Sequence, residues 1–253
     1  ATGSEMPVLE GLETNSAGGS AQYGASDNGL LAYLDDVAEI SPFTIVSVDR
    51  QGRSEPLWRE PGIYGTPRLS PDGRRLAVSA QRDENWNIWV YDLDRDVATR
   101  VTFGQRYDAD PVWSPDGRFL AYESEVDGKD GVFRKRADGT GDAEALLPPG
   151  KLTFPAPHSW SPDGRHLLVQ SAGEGGRTDL WVLSTDGKSE TQPFLKTQYQ
   201  ESGAHFSPDG RWVAYESDET GRLEVFVTSF PAGGGKWQIS AGGGAQPLWS
   251  RDG

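Results

Sequence analysis

The sequence predicts an all-β fold, a β-propeller of four-stranded antiparallel blades. Three observations carry this reading: one turn recurs six times, its spacing is nearly constant, and apolar anchors and β-rich stretches hold fixed places around it. The turn reads Ser26-Asp27-Asn28-Gly29, Ser70-Pro71-Asp72-Gly73, Ser114-Pro115-Asp116-Gly117, Ser161-Pro162-Asp163-Gly164, Ser207-Pro208-Asp209-Gly210 and Ser250-Arg251-Asp252-Gly253. Its serines lie 44, 44, 47, 46 and 43 residues apart, a period that belongs to propellers or solenoids.

Each element follows from residue chemistry. Ser suits the first position of a type I turn, Pro presets the second, and Gly closes it where φ is often positive. Gly29, Gly73, Gly117, Gly164 and Gly210 are therefore structural turn residues joining two antiparallel strands. A large apolar anchor precedes five of the turns: Leu69, Trp113, Trp160, Phe206 and Trp249, with Ala25 in the first copy. A second strand follows each turn, as in Leu76-Ala77-Val78, Leu120-Ala121-Tyr122 and Val213-Ala214-Tyr215. A third apolar strand is centred on Ile45, Trp89, Phe133, Trp181 and Phe226, and a fourth closes the repeat, as in Thr99-Arg100-Val101-Thr102. Four short strands per repeat are the anatomy of a propeller blade. No stretch carries a helical period, which disfavours an α/β solenoid. Recurrence of Trp and Tyr at equal places indicates packing between blades. Trp58 and Trp86 fall outside those places, so a surface or loop role stays open for them.

Composition narrows the function classes. The 253 residues include no Cys and carry a net charge of −14. This excludes disulfides, Cys-ligated metals and a thiol nucleophile, and argues against a nucleic-acid partner, which requires a basic face. No apolar run is long enough for a membrane helix. Residues 1–19 form an N-terminal segment, a ring-closing strand around Pro7–Gly11 or a cloning remnant; residues 20–253 form the propeller. It has five complete repeats and a partial sixth, so the chain reads as truncated in its last blade. An unpaired edge invites self-association, or else a rearranged closure in which Pro247–Trp249 replaces Gln22–Ala25 as the inner strand of the first blade.

The stretch Pro111-Val112-Trp113-Ser114-Pro115-Asp116-Gly117-Arg118-Phe119-Leu120-Ala121-Tyr122 resembles the WD-repeat-like β-propeller of the TolB family. Pro7–Gly11, Ala25–Tyr33 and Trp89-Val90-Tyr91-Asp92-Leu93 are similar to the C-terminal propeller of some bacterial membrane-anchored serine/threonine kinases. The family resemblance implies a parent ring of six blades or more. The first resemblance implies a protein or peptide partner at the channel mouth, and the second implies ligand sensing outside the membrane. Both imply a bacterial extracytoplasmic or periplasmic location, although a chain without Cys suits the cytoplasm equally.

The resemblance also touches the propellers of prolyl-oligopeptidase-type enzymes, yet there is no Gly-x-Ser-x-Gly elbow, phosphate loop, His-Glu-x-x-His or kinase catalytic motif. Asp92-x-Asp94-x-Asp96 resembles the start of a calcium loop, but Val97 and Phe103 stand where Gly and Glu are needed, and it reads as a strand-to-turn junction. His166 falls at a variable place after its turn and is expected on the surface. Asp108, Asp110, His158, Glu201 and His205 precede the anchors of three successive blades, where inner strands enter the channel, and are the candidate channel-binding set. Asp108 and Asp110 stand two apart and so on one strand face. With His205 they make the candidate ligands for a divalent cation in the central channel. The reading is a non-catalytic binding module; the alternatives are a hydrolase using a channel metal, with catalytic residues unknown, and a structural or engineered propeller fragment.

Overall fold

The structure, a computed structural model, describes residues 23–25, 31–34, 43–49, 52–82, 84–104, 107–187, 190–231, 234–250 and 253. The first sheet is β1 (Tyr23–Ala25), β2 (Leu31–Leu34), β3 (Phe43–Val48) and the first half of β4 (Ser54–Leu69). The second takes the other half of β4, then β5 (Arg75–Arg82), β6 (Asn85–Asp92) and β7 (Val97–Arg100). The third is β8 (Asp108–Trp113), β9 (Phe119–Val126), β10 (Lys129–Arg136) and β11 (Glu144–Leu147). The fourth is β12 (Ala156–Trp160), β13 (His166–Ala172), β14 (Thr178–Ser184) and β15 (Thr191–Leu195), and the fifth β16 (Glu201–Phe206), β17 (Trp212–Ser217), β18 (Glu224–Ser229) and β19 (Lys236–Gln238). All pairings within them are antiparallel between sequence neighbours, as hairpin connections dictate. Strand β4 is long because it serves two blades. Val48 pairs with Ser54 at its start, and Leu69 pairs with Leu76 at its end.

The repeated turn closes on itself in all four described hairpins. The Ser hydroxyl donates to the Asp Oδ1 at 2.5, 2.6, 2.5 and 2.7 Å for Ser70, Ser114, Ser161 and Ser207. The same carboxylate oxygen accepts the amide of the following Arg, and the Ser oxygen accepts an amide of the outgoing strand. The serines are buried, so these bonds satisfy hydroxyls that would otherwise be costly to desolvate. Hydrogen bonding to the serine hydroxyl holds the Asp72, Asp163 and Asp209 carboxyls below the usual carboxylate range. The turn glycines Gly73, Gly117, Gly164 and Gly210 have φ of 69°, 66°, 72° and 70°. Gly29 lies outside the described residues. The Asp92 junction is a turn: its Oδ1 accepts the amides of Asp94 and Arg95 at 3.1 and 3.0 Å.

No blade buries both faces by itself. Successive residues of a strand point to opposite faces, so Leu76 and Val78 pack in the seam shared with the first blade, while Ala77 packs toward Trp113 in the next. The same division places Val112, Ala121 and Trp160 in the third seam, and Leu168, Phe206 and Tyr215 in the fourth. The anchors cross-link the blades as well. Trp113 Nε1 donates to the carbonyl of Arg68 at 2.9 Å, Trp160 Nε1 to Val112 at 3.3 Å, and Trp249 Nε1 to His205 at 2.9 Å. Phe206 has no such donor, and its seam substitutes the Ser159 hydroxyl, which accepts the Phe206 amide at 3.1 Å.

One open reading is closed and two expectations are corrected. Trp58 is buried, 3% exposed, and stacks on Tyr91 at 5.2 Å, so it is core and not surface. Trp86 meets the edge of Tyr107 at 6.3 Å. His166 packs its ring against Phe230 at 5.2 Å and is only partly exposed. The rearranged closure is not what forms: β1 is the inner strand of the first blade, paired with β2, and Pro247–Trp249 joins no strand. The 1–19 segment lies outside the described residues.

Gly164 faces open space with φ of 72°, so Gly164→Val isolates backbone strain and is expected to cost about 1–3 kcal/mol. Trp113→Ala is expected to cost about 3–5 kcal/mol, and Trp113→Phe less. Urea unfolding of the three variants checks the ordering.

Candidate functional site

Inner strands β4, β8, β12 and β16 are neighbours in that order. Each carries a bulge shortly before its anchor: between Gly65 and Arg68, Ala109 and Val112, Pro157 and Ser159, and Ser202 and His205. At the third place before the anchor φ turns positive, to 49° at Thr66, 52° at Asp110, 58° at Gly203 and 52° at Gln246. Pro157 holds that place in the fourth blade, where its ring forbids positive φ. The bulge re-aims the side chains around it, as bulges beside functional sites do.

Asp108 and Asp110 are separated by this device and do not share a face. Asp108, 3% exposed, accepts the Ser124 hydroxyl at 2.6 Å and the Asn87 amide at 3.3 Å, inside the seam. Asp110 instead reaches across to the preceding blade, where its Oδ1 accepts the Thr66 hydroxyl at 2.6 Å. Glu201 also turns into a seam. One carboxylate oxygen accepts the Thr197 hydroxyl, Oε2 is buried without a partner among the described residues, and burial pushes the carboxyl up.

The structure brings Asp110, His158 and His205 together and adds Arg68. The imidazole rings of His158 and His205 meet edge to face at 6.5 Å. Burial, with the Arg68 charge nearby, pulls His158 down to about 4 and His205 to about 3, although Asp110 works the other way on His158. Both rings are therefore neutral near pH 7. His158 Nε2 lies 3.1 Å from the Gln170 amide oxygen. That oxygen only accepts, so Nε2 carries the proton and Nδ1 is free to accept. Four blades thus present a guanidinium, a carboxylate and two neutral imidazoles to one region. Among the described residues no three His, Asp or Glu side chains are placed to hold a metal ion. Asp108, Asp110 and His205 do not form a cage, because Asp108 is spent in the seam.

Sequence reasoning missed Arg68 and Glu123. Arg68 stands one place before Leu69 just as His205 stands one place before Phe206, so the repeat alignment contains it. Glu123 follows Tyr122 on β9, is 6% exposed, and has its carboxyl pushed up to about 8 by burial and by the charges of Asp110 and Asp130.

Opposite linkage follows for these groups. A raised Glu123 makes the native state bind more protons between its ordinary value and about pH 8, so its contribution to stability declines as pH rises through that window. The depressed imidazoles contribute above their ordinary value and lose that contribution as pH falls toward about 4. Urea unfolding from pH 4 to 8 is expected to show a shallower alkaline decline in Glu123→Gln and a shallower acid decline in His158→Asn.

Residues 24–147 match the TolB beta propeller domain. An uncharacterized protein of Agrobacterium fabrum is 31% identical over 130 residues, 47% of this chain and 40% of that one. The peptidase YuxL of Bacillus subtilis is 31% identical over 195 residues, covering 61% of this chain and 29% of its own. The Tol-Pal system protein TolB of Bordetella pertussis is 27% identical over 159 residues, 63% of this chain and 35% of that one. The chain therefore spans well under half the length of these curated relatives. The solved structure of a TolB-type protein from Agrobacterium tumefaciens superposes with a TM-score of 0.73 at 23% identity, covering 85% of this chain and 76% of that one. No helix among the described residues is long and apolar enough to cross a membrane. Residues 24–147 are TolB-like in sequence, and the described residues have the fold of a TolB-like β-propeller.

Proposed function

We propose that this propeller is a non-catalytic binding module that takes an extended segment of a protein partner on the channel face of its inner strands. One observation carries the reading. The turn end of every blade repeats the same Ser-Asp chemistry, whereas the bulge end differs from blade to blade and gathers Arg68, Asp110, His158 and His205. Chemical variety concentrated on a rigid repeating frame is how such scaffolds acquire specificity. The likeness to a Tol-Pal system protein supports a protein partner and an extracytoplasmic setting. The acidic charge of −14 weighs against nucleic acid.

A second reading draws on the likeness to the peptidase YuxL, in which the propeller would be the substrate-binding part of a longer enzyme. Both readings place the bound segment on the same face. The test is selection of displayed random peptides against the chain, followed by affinity measurements with Asp110→Asn and His205→Ala. Loss of about tenfold or more in either variant, the size of a binding hot spot, is expected. Peptides that bind both variants at full affinity would overturn the assignment, and chelator-sensitive turnover of ester or phosphoester substrates would replace it with an enzyme.

A further inference from the structure

The blades are internal controls for one another, and they isolate Glu123. The residue facing the inner strand from the second strand is Ser79, Glu123, Gln170 or Glu216, paired in register with Gly65, Ala109, Ala156 or Ser202. Three of these are satisfied. Ser79 donates to the Gly65 carbonyl at 2.7 Å, and the Gln170 amide oxygen meets His158 at 3.1 Å. Glu216 accepts the Ser202 hydroxyl at 2.9 Å on one oxygen and the Gln246 amide on the other.

Glu123 has lost both of the donors that serve Glu216. Ala109 stands where Ser202 supplies a hydroxyl, and Pro157, which has no N–H, stands where Gln246 supplies an amide. Glu123 accordingly accepts no hydrogen bond from any described residue, although it is 6% exposed. The charges of Asp110 and Asp130 reach Glu123, and all three carboxyl groups act on the Tyr107 phenol. No cation among the described residues is paired with any of the three carboxylates. A buried carboxylate without donors is costly, the carboxyl holds its proton more tightly for that reason, and no described residue supplies the missing donors.

We propose that Glu123, with Asp110 and Asp130 beside it, receives a cationic side chain, the ammonium or guanidinium of a Lys or Arg carried by the partner segment. The inference rests on the channel face being the binding face and names the charge of what binds there. A guanidinium or ammonium supplies several N–H donors, and its charge favours the ionised form of Glu123, which then offers two carboxylate oxygens with the Asp110 charge alongside. Among the described residues no three His, Asp or Glu side chains are placed to hold a metal ion, which favours an organic cation.

The experiment uses the whole chain and three probes: Nα-acetyl-arginine amide, Nα-acetyl-lysine amide and the neutral Nα-acetyl-citrulline amide. Binding is followed by NMR through the Glu123 carboxyl carbon, assigned by its loss in Glu123→Gln. The charged probes are expected to shift that resonance saturably and citrulline amide to leave it unmoved. The Glu216 carboxyl serves as the satisfied control and should not respond. Glu123→Gln should weaken the charged probes by about tenfold or more, the scale of a lost charge-assisted bond. Ala109→Ser keeps the charge and places a hydroxyl where Ser202 has one; it should also weaken the probes, and it should raise the melting temperature. Unchanged binding in Ala109→Ser, equal binding of citrulline amide, or Ca²⁺ or Mn²⁺ displacing the charged probes from the Glu123 resonance would overturn the proposal. If selected peptides need His205 but tolerate neutral replacement of every Lys and Arg, this inference falls while the binding face stands. If no peptide is selected yet the charged probes bind at Glu123, the binding-face reading falls instead.

Discussion

The interaction on which the rest of the structure depends is the indole-to-carbonyl bond between blades. A four-stranded sheet with apolar residues on both faces has no stable existence in water until both faces are covered, and in a propeller only a neighbouring blade can cover them. Burial supplies the bulk of that stabilisation without direction. The anchor adds the direction: the Trp of one blade inserts in the seam and donates to the backbone carbonyl one residue before the anchor of the blade behind it. The accepting residues are Arg68, Val112 and His205. Two of these three, Arg68 and His205, also belong to the group gathered with Asp110 and His158. The bond that locks the blades therefore fixes the backbone from which the site is built. In the remaining seam the bond keeps its sense and changes its atoms, the Phe206 backbone amide donating to the Ser159 hydroxyl, and the blades still register at the same level.

The second constraint is the bulge. Non-glycine residues at positive φ carry strain of about 1–3 kcal/mol each, and Thr66, Asp110 and Gln246 hold it at the same place in their blades. The Thr66–Asp110 hydrogen bond ties two consecutive bulges together, so the strained segments support each other. Strain kept in register around a ring is consistent with a preformed face, whose side chains need little rearrangement to receive a ligand.

Much of the fold was legible because its cause is local and repeated. Four described turns show one hydrogen-bond pattern, and the anchors Trp113 and Trp160 are buried in the seams where the alignment put them. The site was legible only in part. Alternation with period two puts Asp108 and Asp110 on one face; a single added residue between Ala109 and Val112 breaks the alternation, and no composition cue marks it, since Thr66, Asp110, Gly203 and Gln246 share no chemistry. Trp58 escaped for a different reason. It lies on a strand shared by two blades, where the repeat places are read twice, and its partner Tyr91 comes from the neighbouring sheet. Asp110, His158 and His205 could be found because they sit at fixed offsets from the anchors; Glu123 sits at a fixed offset too, but from the second strand.

Glu123 and Glu216 show why position in a repeat does not settle a residue's part in it. Both are Glu, both follow a Tyr on the second strand, and both are buried, 6% and 7% exposed. What separates them is two neighbours that neither contributes: a hydroxyl or a methyl across the strand pair, and an N–H or a proline ring in the following blade. Glu216 becomes part of the frame, stitching the fifth blade to the segment that carries Trp249. Glu123, with the same side chain in the same register, is left with its acceptors open beside Asp110. In a repeat protein the residues that depart from structural duty are therefore recognised by what their neighbours fail to supply.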